Sequence, residues 1–494
     1  MNELNWTVAL PEIVLLASLC VVALVDVFVD DPRRRATFWL TQAALAVVAL
    51  LHLERMLAGE IVVGMQGMMV SDPLGHLLAL CATLAIMLTL AYARPYIASR
   101  DLLKGEFYTL SMFVLLGISV MVSANNFLVV YLGLELMSLA LYALVALRRD
   151  NANATEAAMK YFVLGAMASG FLLYGLSMMY GATGSLHHDE VFEAIQTGKI
   201  NEGVLVIGLV FIVAGLAFKF GAVPFHMWVP DVYDGAPTAV TLLIAGAPKL
   251  AAFGLTIRLL HEALNGLAED WQQMLIVLAV CSLLLGNLVA IAQSNFKRML
   301  AYSAIAQIGF VLLGLTPTVI AGNTLSAANG YSAALFYLVT YVLTTLGVFG
   351  MLMLLSREGR ECEQIADLAG LARRSPWLAG VMTVFMFSLA GIPPTVGFWA
   401  KVAVLQALVT TADTGYIVLA VVAVLLSLVG AFYYLRVVKV MWFDEPADAS
   451  PVDWVPRGAA ALLAANGAAV LVLGLMPGGL LALTRDVVVN ALAI

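Results

Sequence analysis

Residues Phe211–Lys249 read FIVAGLAFKFGAVPFHMWVPDVYDGAPTAVTLLIAGAPK, and the reading of this stretch decides the fold. An apolar run carries Lys219 deep within it, meets Pro224, and resumes as a second apolar run with Lys249 just after Pro248. Proline cannot donate to the carbonyl of Phe220 and its ring crowds it, so Pro224 kinks or ends its helix. Backbone groups are then left for water to satisfy. A lysine at bilayer depth costs about 2.5–3.5 kcal/mol on insertion scales, so two of them around one interruption demand a functional reason. That reason is usually charge movement.

The composition around this stretch agrees with it. The 494 residues are 62% hydrophobic and 12% charged, with a mean hydropathy of +0.97. Globular domains run at about 45–50% apolar and about 25% charged, so the chain reads as an all-α polytopic membrane protein. The net charge of −7 is spread over short loops, and no basic face suited to nucleic acid occurs. Cys20, Cys81, Cys281 and Cys362 lie far apart with no CxxC, which gives iron–sulfur or zinc ligation no spacing to rest on. The six histidines fall mostly near span ends, and no GxGxxG opening a helix, Walker loop or HExxH is present. The chain is therefore expected to hold no redox centre of its own. The N-terminus lacks a basic region and a small-residue cleavage site, so the first apolar run is expected to be a retained helix.

A span needs roughly 20 apolar residues. Fourteen candidates are present, approximately Val8–Val29, Phe38–Ala58, Asp72–Ala93, Phe107–Val122, Asn126–Leu147, Thr155–Tyr180, Gly203–Gly221, Thr238–Leu260, Gln272–Ala292, Lys297–Leu315, Ala327–Leu355, Pro376–Val409, Tyr416–Trp442 and Arg457–Leu483. Gly391-Ile392-Pro393-Pro394 splits the twelfth. Glu60–Val70 and Leu186–Lys199 read as surface loops or amphipathic segments. Of the 25 lysines and arginines, Lys219, Lys249 and Lys401 fall inside spans, and Arg55, Lys199, Arg258 and Arg485 fall on one side. The remaining 18 fall on the other. The positive-inside rule then places both termini outside the cytoplasm.

An internal repeat is visible. Asn126-Phe127 recurs 169 residues later as Asn295-Phe296, Pro224 recurs at that offset as Pro393, and Gly-x-x-Pro occurs at Gly221–Pro224 and Gly391–Pro394. Five spans separate corresponding helices, and an odd number inverts one copy relative to the other, with paired broken helices around Pro224 and Pro393/Pro394. The expected division is a three-helix segment (1–106), two inverted five-helix repeats (107–262 and 263–443) and one C-terminal transmembrane helix (444–494).

Four ionisable groups carry the chemistry. Glu135 lies in YLGLELMSLALYALVAL with Tyr131, Ser138 and Tyr142 at i−4, i+3 and i+7, a polar stripe that faces other helices or a hydrated cavity. A serine would serve as interhelical glue at less cost. Lys219 stands beside irregular, wet backbone, where burial lowers a lysine's proton affinity and a carboxylate raises it. The distance between Lys219 and Glu135 would then decide where a proton sits. Lys249 shares its face with Thr241, Ala245 and Thr256. Lys401 follows the second break, where simple satisfaction of freed carbonyls is the competing structural reading. Ser303 and Gln307, with Tyr337, Tyr341 and Thr344, sit at helical spacing and are candidates to continue a hydrated line toward Lys401, each singly also explicable as packing glue. His226 is a candidate relay near neutral pH or a loop residue bonding backbone. Asp231 and Asp234 read as loop anions or helix caps.

The ordered set of YLGLELMSLALYALVAL, FKFGAVPFHMWVPDVYDGAPTAVTLLIAGAPK, FKRMLAYSAIAQIGFVLLG and GIPPTVGFWAKVAVL closely resembles the antiporter-like subunits of proton-pumping NADH:quinone oxidoreductase, respiratory complex I. The resemblance covers the core from about Phe107 to Trp442. Within that family it looks like the N type of a bacterial enzyme: the length leaves no room for the long C-terminal amphipathic helix of the L type, and Lys401 stands where the M type typically has glutamate. The resemblance implies that Glu135 and Lys219 form a coupling pair, that Lys249 is the connecting lysine, and that Lys401 is the terminal one. It also implies a bacterial inner-membrane location with both termini periplasmic, and other membrane-arm subunits, including homologous antiporter-like ones, and lipids as partners. Flavin, iron–sulfur clusters and the quinone site would belong to partner subunits. Ala304 stands at the position offset from Glu135, so the second half departs from a strict copy. A subunit of a multi-component cation/proton antiporter or membrane-bound hydrogenase shares these motifs, and a purely structural spacer would have no use for the buried lysines.

Overall fold

In hydrocarbon a chain must satisfy each backbone N–H and C=O within itself, and the apolar runs accordingly become helices. The computed structural model describes residues 4–198, 201–319, 325–357, 361–446, 450, 452 and 454–492. Lys199 and Arg360, both counted among the loop charges, lie outside the described residues. In chain order the elements are α1 (Leu10–Val27), α2 (Arg35–Ala58), the strands β1 (Val62–Gly64) and β2 (Met69–Ser71), α3 (Pro73–Ala98), α4 (Gly105–Val122), α5 (Phe127–Val145), α6 (Ala152–Thr183) and α7 (His188–Gln196). There follow α8 (Glu202–Phe220), α9 (Trp228–Gly235), α10 (Thr238–Ala245) and α11 (Ala247–Thr256), which continues as a π-helix over Ile257–Ala263. The second half holds α12 (Ala268–Ala292), α13 (Phe296–Leu315), α14 (Leu325–Leu355), α15 (Leu371–Arg374), α16 (Pro376–Ala390), α17 (Val396–Val409) and α18 (Thr414–Phe443). The last two helices are α19 (Arg457–Leu475) and α20 (Gly478–Leu492).

Thirteen helical runs among the described residues are long and apolar enough to cross a membrane. The 15-residue α16 and 14-residue α17 are the two halves of the split twelfth span. The run Thr238–Ala263 is buried along its length, with α13 and α14 nearly so, whereas α18 presents most of its surface outward. The centre of the molecule therefore lies where α10, α11, α13 and α14 meet.

Three expectations are refined. The C-terminal segment holds one run long and apolar enough to span, α19, shorter than the expected Arg457–Leu483, because Met476-Pro477-Gly478-Gly479 combines a residue without an N–H and two poor helix formers; α20 follows and packs on α14 and α3. Of the two stretches of mixed polarity, Glu60–Val70 contains most of the antiparallel hairpin β1–β2, in register Val62↔Ser71, whereas Leu186–Lys199 contains the short amphipathic helix α7, one of the two forms expected of it. Arg258, counted on the far side, does not reach solvent there. It sits in the π-helical turn with 2% of its surface exposed, so the buried cations number more than the three lysines.

The local geometry around Asn126 recurs around Asn295. Each asparagine opens a helix by accepting from a backbone N–H, Leu128 at 2.9 Å and Arg298 at 3.0 Å. The next residue donates to an incoming segment, Phe127 N to Leu186 O at 2.9 Å and Phe296 N to Glu363 O at 2.6 Å. Helix packing follows suit. A Cβ on Gly117 would lie 2.4 Å from Met137 N and 2.7 Å from Gly133 O, and one on Gly286 would lie 2.7 Å from Ala306 N and 2.8 Å from Tyr302 O. Both glycines thus allow α4 against α5, and α12 against α13, to touch backbone to backbone.

Candidate functional site

The helix breaks are made by glycine before they are made by proline. α8 ends at Gly221 in the left-handed region (φ 75°), with Ala222 N bonded to Ala217 O at 2.8 Å. α16 ends at Gly391 (φ 83°), with Ile392 N bonded to Phe387 O at 2.9 Å. This is the usual glycine-terminated helix end. The prolines follow at positions where no N–H is needed, in the cis peptides Val223-Pro224 and Pro393-Pro394.

Each break leaves carbonyls in the last turn without a helical partner. At the first, Lys249 Nζ donates to Phe220 O at 2.6 Å, and Trp228 Nε1 to Phe218 O at 3.0 Å. At the second, Lys401 Nζ donates to Ala390 O at 2.8 Å and to Ser427 Oγ of α18 at 2.8 Å. Phe220 and Ala390 are the residues immediately before Gly221 and Gly391, so two lysines from different helices hold corresponding carbonyls. Lys249 is 1% exposed, delivered there because α10 stops at Gly246 and α11 restarts with Pro248 in its first turn.

Lys219, in the last turn of α8, points away from its own break. Its Nζ donates to Ser138 Oγ of α5 at 2.7 Å, and Ser138 in turn donates to Leu134 O at 2.6 Å. Glu135 stands one turn before Ser138, partly exposed, with Oε1 buried and unpartnered. Glu135 and Lys219 are therefore not in ion-pair contact in this conformation, in which the lysine is bonded to Ser138. Lys219 and Lys249 both line a cavity of about 10 Å³ shared with Tyr161, Trp228 and Pro248, a volume on the scale of one water molecule.

The second half contains a polar line. Ser303 bonds Tyr434, and Gln307 Nε2 reaches both Tyr434 Oη (2.9 Å) and Leu389 O (3.0 Å). Tyr337 donates to Gln307 Oε1, and Thr344 meets Ser388 at 3.1 Å. Gln307, Tyr337, Tyr341, Thr344 and Ser388 line a second cavity of about 10 Å³. Gln307 and Lys401 thus bind the consecutive carbonyls of Leu389 and Ala390. Tyr341 enters this line through the wall of that cavity. His226 stays apart: its carbonyl accepts from Val229 N, and its Nδ1 is unpartnered.

Asp231 and Asp234 belong to something larger than a loop. They border a cavity of about 400 Å³ with Arg148, Lys160, Arg298 and Glu363 on the face carrying the basic loops. Lys160 and Arg298 lie 2.8 and 3.0 Å from Asp231, and Lys297 lies 3.2 Å from Glu363. Partial burial pushes the Asp231 carboxyl up, but the hydrogen bonds and charges of Lys160 and Arg298 outweigh it and hold it below the ordinary carboxylate range.

Ser427, Tyr434 and Ser388 are not among the candidates the sequence singles out. A lone serine or tyrosine in an apolar helix carries no distinguishing pattern; only the fold brings Ser427 to Lys401 and Tyr434 to Gln307. Among the described residues no group of three His, Cys, Asp or Glu side chains is placed to hold a metal ion.

Comparisons with known proteins place the family and the fold. Residues 124–427 match the family described as NADH:quinone oxidoreductase/Mrp antiporter, transmembrane. The chain is 59% identical to the NADH-quinone oxidoreductase subunit N of Herminiimonas arsenicoxydans and 58% identical to that of Polaromonas naphthalenivorans, each alignment covering 100% of both proteins. It superimposes on a chain of respiratory complex I from Thermus thermophilus with a TM-score of 0.79 at 32% identity, over 96% of this chain and 98% of that one. A chain of the Mrp complex from a Dietzia species shares the fold, with a TM-score of 0.84 at 21% identity over 99% and 98% of the two chains.

Proposed function

Because the chain belongs to the NADH-quinone oxidoreductase subunit N family, within the wider NADH:quinone oxidoreductase/Mrp antiporter transmembrane family, we propose that it carries protons across the membrane while quinone is reduced elsewhere in the assembly. One observation carries this reading. Lys219, Lys249 and Lys401 are embedded, each bonded to a hydroxyl or to a carbonyl next to a helix break. Among the described residues none of the three has a carboxylate for a partner. A permanently charged structural lysine in such surroundings would need a counterion; a lysine that gives up and regains its proton does not.

In this reading Glu135 and Lys219 are separable partners. With Lys219 on Ser138, as here, the carboxylate holds the proton less firmly on the amine; with the lysine swung to Glu135, the charged form is favoured. The proton then passes by water to Lys249, along Gln307, Tyr337, Thr344 and Ser303 toward Lys401, and out. The 400 Å³ charged cavity at Asp231 and Asp234 supplies water on the basic-loop side. The chain works as a non-redox subunit of an NADH:quinone oxidoreductase, and flavin, iron–sulfur clusters and quinone reside in its partners. Its neighbours are other membrane-arm subunits, including homologous antiporter-like ones, together with lipid. The excess of arginine and lysine on one face supports a bacterial inner-membrane orientation with both termini periplasmic.

The test is substitution of each lysine by alanine in the intact complex. Coupled NADH oxidation and proton pumping are expected to fall while the assembled complex remains at its normal amount. A Lys219→Ala complex that pumps and turns over normally makes the pair structural. Co-purification separates the antiporter alternative: NADH-oxidising flavin and iron–sulfur partners support this reading, and sodium-dependent antiport without them overturns it.

A further inference from the structure

A second group of buried ionisable side chains lies at the opposite end of the first half, away from the lysines. The π-helical turn after α11 carries Arg258 and Glu262 one turn apart. Arg258 donates from Nη2 to Asp72 Oδ1 at 2.5 Å, from Nη1 to Glu262 Oε1 at 2.5 Å, and from Nε to Val122 O at 2.9 Å. His188 of α7 is 1% exposed, and its Nδ1 lies 3.6 Å from Glu262 Oε2. One residue beyond Val122, Ser123 donates to Glu12 of α1 at 3.2 Å. Two carboxylates thus hold a single guanidinium, and a third, Glu12 of α1, is held by the residue that follows Val122.

A stabilising contact would need only one acid for one arginine. Here unpartnered acceptors outnumber unpartnered donors: Glu12 Oε2, Asp72 Oδ2 and both ring nitrogens of His188 are buried without any hydrogen-bond partner, and of the two nitrogens of a neutral imidazole one accepts and one donates. Buried polar atoms in native proteins are satisfied by protein, water or a proton, so several orphaned acceptors in one place mark a site that takes up something small and positive. Glu262, with 21% of its side chain exposed, is the member that reaches toward solvent.

We propose that Asp72, Arg258, Glu262 and His188, with Glu12 beside them, form a second proton-binding site that exchanges with water on the face bearing the chain termini. The proton moves between that water and the Glu262–His188 pair, and no other bond changes. Burial pushes the His188 imidazole below its ordinary value, against the pull of Glu262, so the ring gains its proton as that face acidifies. The charged groups facing His188 are Glu262 and Arg258 from the π-helical turn and Asp189 on its own helix; the turn at Asn265–Leu267 contributes none. His76, one turn after Asp72 on α3, is engaged with His52 at 3.1 Å and Ser71 at 2.7 Å.

The site is not wired to Lys249 by hydrogen bonds. Leu250, Phe253 and Leu255 fill the interval with 0% exposure, and the nine residues of helix from Lys249 to Arg258 span about 13.5 Å. The site acts on Lys249 through charge: one added proton at this end disfavours the protonated amine, so acid on the terminal face slows the relay.

That effect rests on the proton-transfer reading above, and the experiment separates the two. The intact complex is reconstituted into liposomes with NADH supplied outside, and initial rates are measured with the lumen buffered over a series of pH values at constant external pH. The wild type is expected to slow as the lumen acidifies, Glu262→Gln and His188→Gln to lose most of that response, and Glu262→Asp to restore it. Assembled Glu262→Gln and His188→Gln complexes that keep the wild-type response overturn the site. Normal pumping by Lys249→Ala, measured in parallel, overturns the parent reading instead.

Discussion

Lys219 reaches past Glu135 to Ser138, with 2.7 Å between Nζ and Oγ. The hydroxyl stands one turn beyond the carboxylate on α5, so a small swing of the lysine changes its company. Ser138→Ala removes the competing partner. A hydrogen bond to a charged group is worth about 1.5–3 kcal/mol, so coupled turnover is expected to drop by roughly tenfold to a hundredfold. Ser138→Thr should keep most of the activity, and steady-state NADH:quinone assays on matched amounts of complex decide it.

Gly391 and Lys401 are in close steric register. A Cβ at Gly391 would sit 2.7 Å from Lys401 Cδ, at a backbone φ of 83°. The left-handed conformation alone costs an L-residue roughly 1–2 kcal/mol. Gly391→Ala is expected to cut proton pumping more than it lowers the melting temperature of the complex, since the methyl displaces the lysine from Ala390 and Ser427.

Tyr434 joins Ser303 and Gln307 through one hydroxyl. Tyr434→Phe keeps the ring and deletes the link. A neutral hydrogen bond contributes about 0.5–1.5 kcal/mol, so a loss of roughly two- to tenfold in pumping is expected, with a matching solvent deuterium effect. Unchanged pumping would mean that protons bypass this line.

Asp231 tests the electrostatics of the charged cavity. Its carboxyl is held below the ordinary range, so its contribution to stability is full above the unfolded value of about 3.9 and disappears as pH falls through the lower folded value. Asp231→Asn should therefore melt below the wild type at neutral pH, with the gap closing as the pH drops below about 4. The side chain is 34% exposed, so the gap should be small and should shrink further in high salt.

Gly117 permits the backbone contact that seats α5. Even a methyl there would meet Met137 N at 2.4 Å, and Gly117→Leu is expected to prevent accumulation of the complex in membranes. A Cβ added at Gly170 would meet nothing within 4 Å, so that position should accept alanine with normal accumulation. Immunoblots of membranes score both.

Much of this architecture can be read from the chain because bilayer physics leaves few options. Apolar runs of sufficient length become helices, Gly-x-x-Pro marks both breaks, and Asn126 and Asn295 open helices where their side chains can accept from the first turn. What depends on distant residues is not legible. Reasoning from residue types pairs Lys219 with Glu135, because opposite charges dominate it, yet the fold offers Ser138 first. Ser427 sits 26 residues from Lys401 in a helix that otherwise reads as lipid-facing. Arg258 reads as an ordinary charge near the end of its span because hydropathy cannot see Asp72, 186 residues away, waiting to neutralise it. The last apolar run hides a second helix because a window average dilutes a single proline.

The lysine ammoniums at Phe220 and Ala390 sit where a helix macrodipole is most negative. Each positive charge therefore holds its broken helix end in place, and under the proposed proton transfer, losing the proton would weaken that hold at the same moment as it frees the charge. On that reading the site would need no separate latch: the event that discharges a lysine would also loosen the backbone around it, so that one atom serves both the helix end and the ion.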